Sequence, residues 1–241
     1  MDRGVLVASD EGQEWLLPWW WGNYCEHNTL PVAFADFGMS EGGRAWCKAR
    51  GELVEVAFGG LRVAKRGEIE PAVVAEWENC LSPFWGSRGA WFKKPFALLQ
   101  SPFAETIWTD LDCEILGNLE GMYRYIDAES KMGLVRVRDP ESEGDFVLYN
   151  SGVIAFGRES KLLKRWSEAA LFRNDQFLSD QDALSQIIFE EKCSVGEAPE
   201  IYNWLMCRGV RLGAVVLHWA AMWGKEYIRK YGGLKHELRN L

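Results

Sequence analysis

No stretch of this 241-residue chain is both long and apolar enough to span a bilayer. The longest nearly apolar run, GAVVLHWAAMWG at 213–224, is shorter than the roughly 20 residues a membrane helix needs, and it contains a histidine. Basic residues are outnumbered, 27 Lys and Arg against 35 Asp and Glu, for a net charge of −8. A nucleic-acid partner requires a basic face, so that class is set aside. The six cysteines (Cys25, Cys47, Cys80, Cys113, Cys193 and Cys207) include no C-x-x-C pair, and zinc-site spacing is absent. Their even number is compatible with disulfides, although a chain of this size has an ample core without them. No charged-then-apolar leader opens the chain, because Met1-Asp2-Arg3 runs straight into GVLVAS. Repeats, low-complexity segments and linkers are also missing. These absences predict a single domain over 1–241, reduced and cytoplasmic.

What is present is ordinary in bulk and unusual in detail. Apolar residues make up 48% of the chain and charged residues 26%, as in globular proteins generally. Thirteen tryptophans exceed normal usage; they pack a core, and such flat amphipathic rings also suit a surface that holds sugars. The tail KEYIRKYGGLKHELRNL, 225–241, sets five Lys or Arg against two Glu. It reads as a solvated helix or as a basic patch for peripheral contact with anionic lipid.

Strand and helix patterns interleave along the chain. GVLVASD is an apolar run ending in Asp10, and LPVAFADFG is a second ending in Asp36. EWLLPWWWGNYCEHN, between them, has helical spacing with a proline inside, which predicts a kinked first helix. ELVEVAF suggests a strand and PAVVAEWENCL a helix with proline in its first turn. A short helix is expected from Pro95, followed by a central strand in ETIWTDLD. MGLVRVRD and VLYNSGVIAFG continue the strands; ESKLLKRWSEAALF and SDQDALSQIIFEEK are amphipathic helices. Strands that are apolar throughout argue for burial on both faces, hence an α/β sandwich around a mostly parallel sheet.

Ligands in such sheets bind beyond the carboxyl ends of the strands. Three strands here end in acid: Asp10, Asp36 and the pair Asp110/Asp112. A rim of like charge repels a bare diphosphate and makes sense with a divalent cation between them. The chain contains two D-x-D triplets. Asp180-Gln181-Asp182 follows Ser179 and precedes an apolar helix, so a capping box explains it as readily as chemistry does. Asp110-Leu111-Asp112 follows TIW and precedes no helix start. In extended backbone its two carboxylates share one side, with Leu111 facing inward. Two convergent carboxylates are a hard-oxygen site for Mg2+ or Mn2+, which bridges acids to substrate phosphates.

With these segments assembled, the chain resembles glycosyltransferases with the GT-A fold, in particular family 8-like retaining enzymes. The resemblance rests on TIWTDLDCEILGNLEGMY (106–123), YNSGVIAF (149–156), SDQDALSQII (179–188), IYNWL (201–205) and LHWAAMWGK (217–225), in the family's order. GVLVASD fits the family's first strand. The resemblance implies that Asp110, Asp112 and His218 hold Mn2+ or Mg2+, although a lone histidine in an apolar stretch is also an ordinary core residue. It implies that Asn150 and Ser151 line the sugar or acceptor side, and that Asp180 and Gln181 reach the transferred sugar. Lys94 and Lys225 would meet the donor phosphates, and Ser9 and Asp10 the base or ribose. The donor implied is a UDP-sugar, and the acceptor a sugar, lipid or protein. One departure is visible: six residues separate His218 from Lys225 where the family usually has five. It keeps open an inactive sugar- or nucleotide-binding protein on the same scaffold. A D-x-D phosphatase is the other rival; its usual Thr or Val position is filled here by Glu114.

Overall fold

The structure is a computed structural model and describes residues 2–80, 84–137 and 146–234. Its centre is a seven-stranded sheet built from β1 (Arg3–Ser9), β2 (Val32–Asp36), β3 (Glu52–Glu55), β4 (Glu105–Thr109), β6 (Met132–Arg136), β7 (Tyr149–Gly157) and β8 (Gly196–Ala198). The spatial order is β3-β2-β1-β4-β7-β6-β8. All neighbouring pairs run parallel except those of β7, which is antiparallel to both β4 and β6. That reversal matters for the site. The start of β7 lies at the edge where β1 and β4 end, with Thr109 opposite Val153. A second, three-stranded sheet orders β5 (Cys113–Ile115), β10 (Val216–His218) and β9 (Trp204–Leu205).

The expected α/β sandwich is therefore present, and alternation along the strands explains its layers. Leu6, Trp108, Ile154 and Phe156 face one way, onto α4 (Arg88–Leu99), α5 (Lys161–Phe172) and α6 (Asp180–Glu191). Val5, Val7, Ile107 and Val153 face the other way, onto α1 (Leu17–His27), the small sheet and α7 (Ala221–Tyr231). Trp20, Trp166 and Trp219 are fully buried in these two layers, so much of the tryptophan excess fills core. All six cysteines are free. Two further helices, α2 (Glu41–Lys48) and α3 (Pro71–Cys80), complete the set among the described residues.

Two helix expectations need correction. Pro18 does not kink α1: a 3-10 turn over Glu14–Leu16 precedes the helix, and Pro18 sits in its first turn, where no N–H is needed. α4 starts at Arg88, not at Pro95, which lies inside the helix. Arg88 explains the longer helix. It is 1% exposed, and its guanidinium donates to the carbonyls of Ala64 (2.6 Å), Phe177 (2.9 Å), Leu178 (3.1 Å) and Asn174. The rings of Trp77, Trp85 and Phe92 surround it. Burial pulls this guanidinium down to about 10. One cation thus ties α4 to the segment leading into α6.

Candidate active site

β4 delivers Asp110 to the carboxyl edge of the sheet, but not in the extended form expected. Residues 110–113 form a turn, closed by the Cys113 N–H on the Asp110 carbonyl at 3.2 Å, and this turn passes the chain from the large sheet to β5. Leu111 is buried, as expected, and packs on the α1 side. The Asp110 N–H donates to the Gly152 carbonyl at 2.8 Å, pinning the turn to β7. β10 pairs antiparallel with β5 so that His218 lies opposite Cys113. This register, rather than strand alternation, brings the acids and the imidazole together.

His218 Nε2 lies 3.3 Å from Asp112 Oδ1 and 3.9 Å from Asp110 Oδ2. Asp112 and His218 are buried and Asp110 is one-quarter exposed. Two carboxylates on one turn and one imidazole nitrogen from β10 form a donor set that fits Mg2+ or Mn2+. The Cys113 sulfur also lies in this cluster, within 4.8 Å of the Asp112 and His218 ligand atoms. It does not fit such an ion: burial pushes its thiol well above the ordinary value, and it donates to the Gly152 carbonyl at 3.7 Å. A protonated sulfur is a poor ligand for a hard cation.

Two lysines balance the acids. Lys94, from α4, is 4% exposed, and its ammonium reaches Asp110 Oδ1 (3.0 Å), Asp180 Oδ2 (3.2 Å), and the Ser151 carbonyl (3.1 Å) and hydroxyl (3.0 Å). Burial alone would lower its pKa, but Asp110 and Asp180 outweigh burial and raise it. Lys225, from α7, pairs with Asp112. Burial would raise the Asp112 carboxyl, yet Lys225 and His218 hold it well below the carboxylate range. Asp110 goes the other way, because burial raises it more than Lys94 lowers it.

The second D-x-D divides its labour. Asp182 Oδ2 accepts the N–H (2.9 Å) and hydroxyl (2.7 Å) of Ser179, capping α6. Asp180, in the first turn, points instead to the site and accepts the Ser151 hydroxyl at 2.8 Å. Gln181 Oε1 accepts from Asn150 Nδ2 at 3.1 Å. Asp110, Asp112, His218, Lys94, Lys225, Asn150, Ser151, Asp180 and Gln181 therefore form one connected cluster. Lys94 is placed differently from expectation: it is a buried link between the two acidic motifs rather than a free arm toward phosphate.

Ser9 and Asp10 end β1 at the same edge, without a contact to that cluster. The Ser9 hydroxyl donates to the Asp10 carbonyl at 3.0 Å, and Asp10 Oδ1 accepts the Gln13 N–H at 2.9 Å. Asp36 leaves the expected acidic rim. It accepts the N–H groups of Gly38 and Met39 at 2.8 Å each and pairs with Arg44. Of the basic tail, residues 235–241 lie outside the described residues; no described helix is long and apolar enough to cross a membrane.

No family model and no curated protein matches the sequence. Solved structures do. The galactosyltransferase LgtC, in complex with donor and acceptor sugar analogs, aligns with a TM-score of 0.62 at 15% identity, over 95% of this chain and 94% of that one. The chain has the GT-A fold. Mouse xyloside xylosyltransferase 1 shares that GT-A architecture at a TM-score of 0.57 and 16% identity, over 90% of this chain and 97% of its own. GlyE of Streptococcus pneumoniae gives 0.63 and 13%, over 92% of this chain but 55% of its own length.

Two details of this GT-A chain could not be read in advance. α7 begins between His218 and Lys225, with Ala221 in the left-handed region at φ 70°. Asn203 is absent from the expected site, although IYNWL is one of the segments that carry the resemblance. It is 3% exposed and contacts His218 Nδ1 at 2.9 Å. Gly152 marks how tightly this corner is packed: a Cβ there would stand 2.2 Å from His218 Cε1 and 2.5 Å from Nδ1. Gly152→Ala should therefore cost about 1–3 kcal/mol in stability and weaken Mn2+ binding, through displacement of the ring. Unfolding in urea and Mn2+ titration by electron paramagnetic resonance measure the two effects.

Proposed function

We propose that residues 1–241 act as one catalytic domain, a metal-dependent glycosyltransferase. It moves a hexose from a nucleotide-diphosphate sugar, UDP-hexose first among them, to a sugar, lipid or protein acceptor with retention. The observation that carries this reading is the placement of His218 Nε2 3.3 Å from Asp112 and 3.9 Å from Asp110 at the carboxyl edge of a GT-A sheet. Nucleic acid has no part in it. A cation of the Mn2+ or Mg2+ type on these residues would neutralise charge on the departing diphosphate.

The chain's own groups supply the rest. Lys225 has its ammonium at the edge of the cluster and one-quarter exposed, so it can exchange its contact with Asp112 for a phosphate oxygen. Such electrostatic stabilisation of the leaving group is where most of the acceleration is expected. Ser9 and Asp10, one strand away from β4, receive the nucleoside. Asp180 and Gln181 flank the hexose, with Asn150 and Ser151 beneath it. Asp180 is a poor covalent nucleophile, because its Oδ2 already accepts from Ser151 and Lys94. Same-face attack is therefore the favoured course. The acceptor oxygen bonds to the anomeric carbon as the bond to the phosphate oxygen breaks, and the acceptor proton passes to that phosphate oxygen.

A thermal-shift screen of nucleotide sugars with and without Mn2+, followed by donor turnover, tests the reading. Ligand at 100 times its Kd stabilises a native protein by about 2.7 kcal/mol, an easily seen rise in Tm. The expected result is a Mn2+-dependent shift with one nucleotide sugar and slow hydrolysis of that donor. A shift with no cleavage under any acceptor would make the protein a binding protein on the same scaffold. Release of phosphate from simple phosphomonoesters, with no shift by nucleotide sugars, would make it a phosphatase.

A further inference from the structure

Four side chains, Gln181, Asn150, Asn203 and His218, run in a single line through the site, and a backbone group of fixed polarity meets that line at Asn150. The Gly152 N–H donates to Asn150 Oδ1 at 2.8 Å. A backbone N–H only donates, so the Asn150 atom facing it is the oxygen. The same oxygen lies 2.7 Å from the Asn203 side chain, which must therefore present its Nδ2. Asn203 Oδ1 is then left to face His218 Nδ1 at 2.9 Å, and that nitrogen must carry a proton. The other arm is fixed by the same logic: Asn150 Nδ2 donates to Gln181 Oε1 at 3.1 Å.

This reading rests on the metal site of the proposed function and goes one shell deeper. We propose that Asn203 is a positioning residue that holds His218 as the Nδ1–H tautomer, aiming the Nε2 lone pair between Asp110 and Asp112. With Nδ1 committed to Asn203, Nε2 is the ring nitrogen left to face the acids, 3.3 Å from Asp112 Oδ1 and 3.9 Å from Asp110 Oδ2: carrying a proton it donates to Asp112, and without one it offers its lone pair to a cation. An unprotonated Nε2 adds a third electron-rich atom to acids that already pair with Lys94 and Lys225, and a divalent cation would draw the three together. The line also commits Gln181: its oxygen is occupied, so it offers N–H donors to the hexose. Asn203 can do this because it is buried and rigidly placed. It joins a 3-10 turn over Glu200–Tyr202 to β9, whose Leu205 pairs with His218.

The test uses the full chain and reads the ring itself. Nitrogen-15 long-range correlation spectra of the metal-free protein at alkaline pH and of the Mg2+-loaded protein should both show His218 protonated at Nδ1. Mn2+ affinity is read by electron paramagnetic resonance, and folding by Tm. Asn203→Leu should lose the single tautomer and bind Mn2+ about ten- to a hundredfold more weakly. Asn203→Asp keeps an acceptor for Nδ1 but removes the donor to Asn150. It should retain the Nδ1–H tautomer and bind Mn2+ no more weakly than wild type, while turnover falls. A wild-type ring protonated at Nε2, or Asn203→Asp weakening Mn2+ as much as Asn203→Leu, overturns the inference. Failure of wild type to bind Mn2+ at all would instead remove the proposed function, and the metal-free spectrum would still decide the tautomer.

Discussion

Lys94→Met should lose about 3–5 kcal/mol of stability and all measurable turnover, the largest combined effect expected of any single substitution in this chain. The Lys94 ammonium is enclosed by Asp110, Asp180 and Ser151, with its side chain and that of Asp180 each 5% exposed. Removing the cation leaves the buried Asp180 carboxylate and the one-quarter-exposed Asp110 carboxylate without their shared counter-charge. A pair of charges of this kind is weak evidence of net stabilisation while intact; the cost lies in breaking it from one side. That distinction is measurable. Lys94→Met combined with Asp180→Asn should be more stable in urea than Lys94→Met alone, because the second change removes an orphaned charge. Lys94→Arg should not restore activity, since a planar guanidinium cannot reproduce contacts that converge on one nitrogen. A stable, active Lys94→Met protein would mean that Asp110 and Asp180 are neutralised by something other than this lysine.

The same residue shows where the sequence stops being informative. β1, β2, β4 and β7 are legible because each is an apolar run buried on both faces, a pattern produced by the layers themselves. α5 is legible from its spacing, and in the structure the Ser160 hydroxyl caps it by accepting the Leu163 N–H at 3.1 Å. α4 is not legible. Pro95 reads as a start and Lys94 as an arm toward phosphate, and no local pattern singles out Arg88, yet the side chains of Arg88 and Lys94 are both buried. Their burial is decided by partners on other segments, including Asn174, Leu178 and Asp180, that local pattern does not reveal. The acidic pair was legible as a pair but not as a turn, because the register between β5 and β10 sets its geometry. Asn203 was invisible for the same reason: a buried amide is recognised by the polarity of its neighbours, and those neighbours come from β7 and β10.

Asp112→Asn is expected to reduce Mn2+-dependent donor turnover by more than about a hundredfold while leaving the fold intact. The asparagine oxygen can still accept from Lys225, so the pairing becomes a weaker hydrogen bond instead of a void. What disappears is the negative charge that both Lys225 and the cation answer to. The acid limb of the stability curve offers an independent check. Asp112 is held below the ordinary carboxylate range, so the folded state binds its proton less readily than the unfolded chain does. Its contribution is therefore complete above the ordinary carboxylate pKa and fades as pH falls toward the depressed value. Wild type should lose stability across that acid window, and Asp112→Asn should lose less, as measured by urea unfolding at a series of pH values. Full turnover in the variant would remove Asp112 from the metal site, and an unchanged acid limb would remove the ion pair with Lys225 from the forces that hold α7 against the turn.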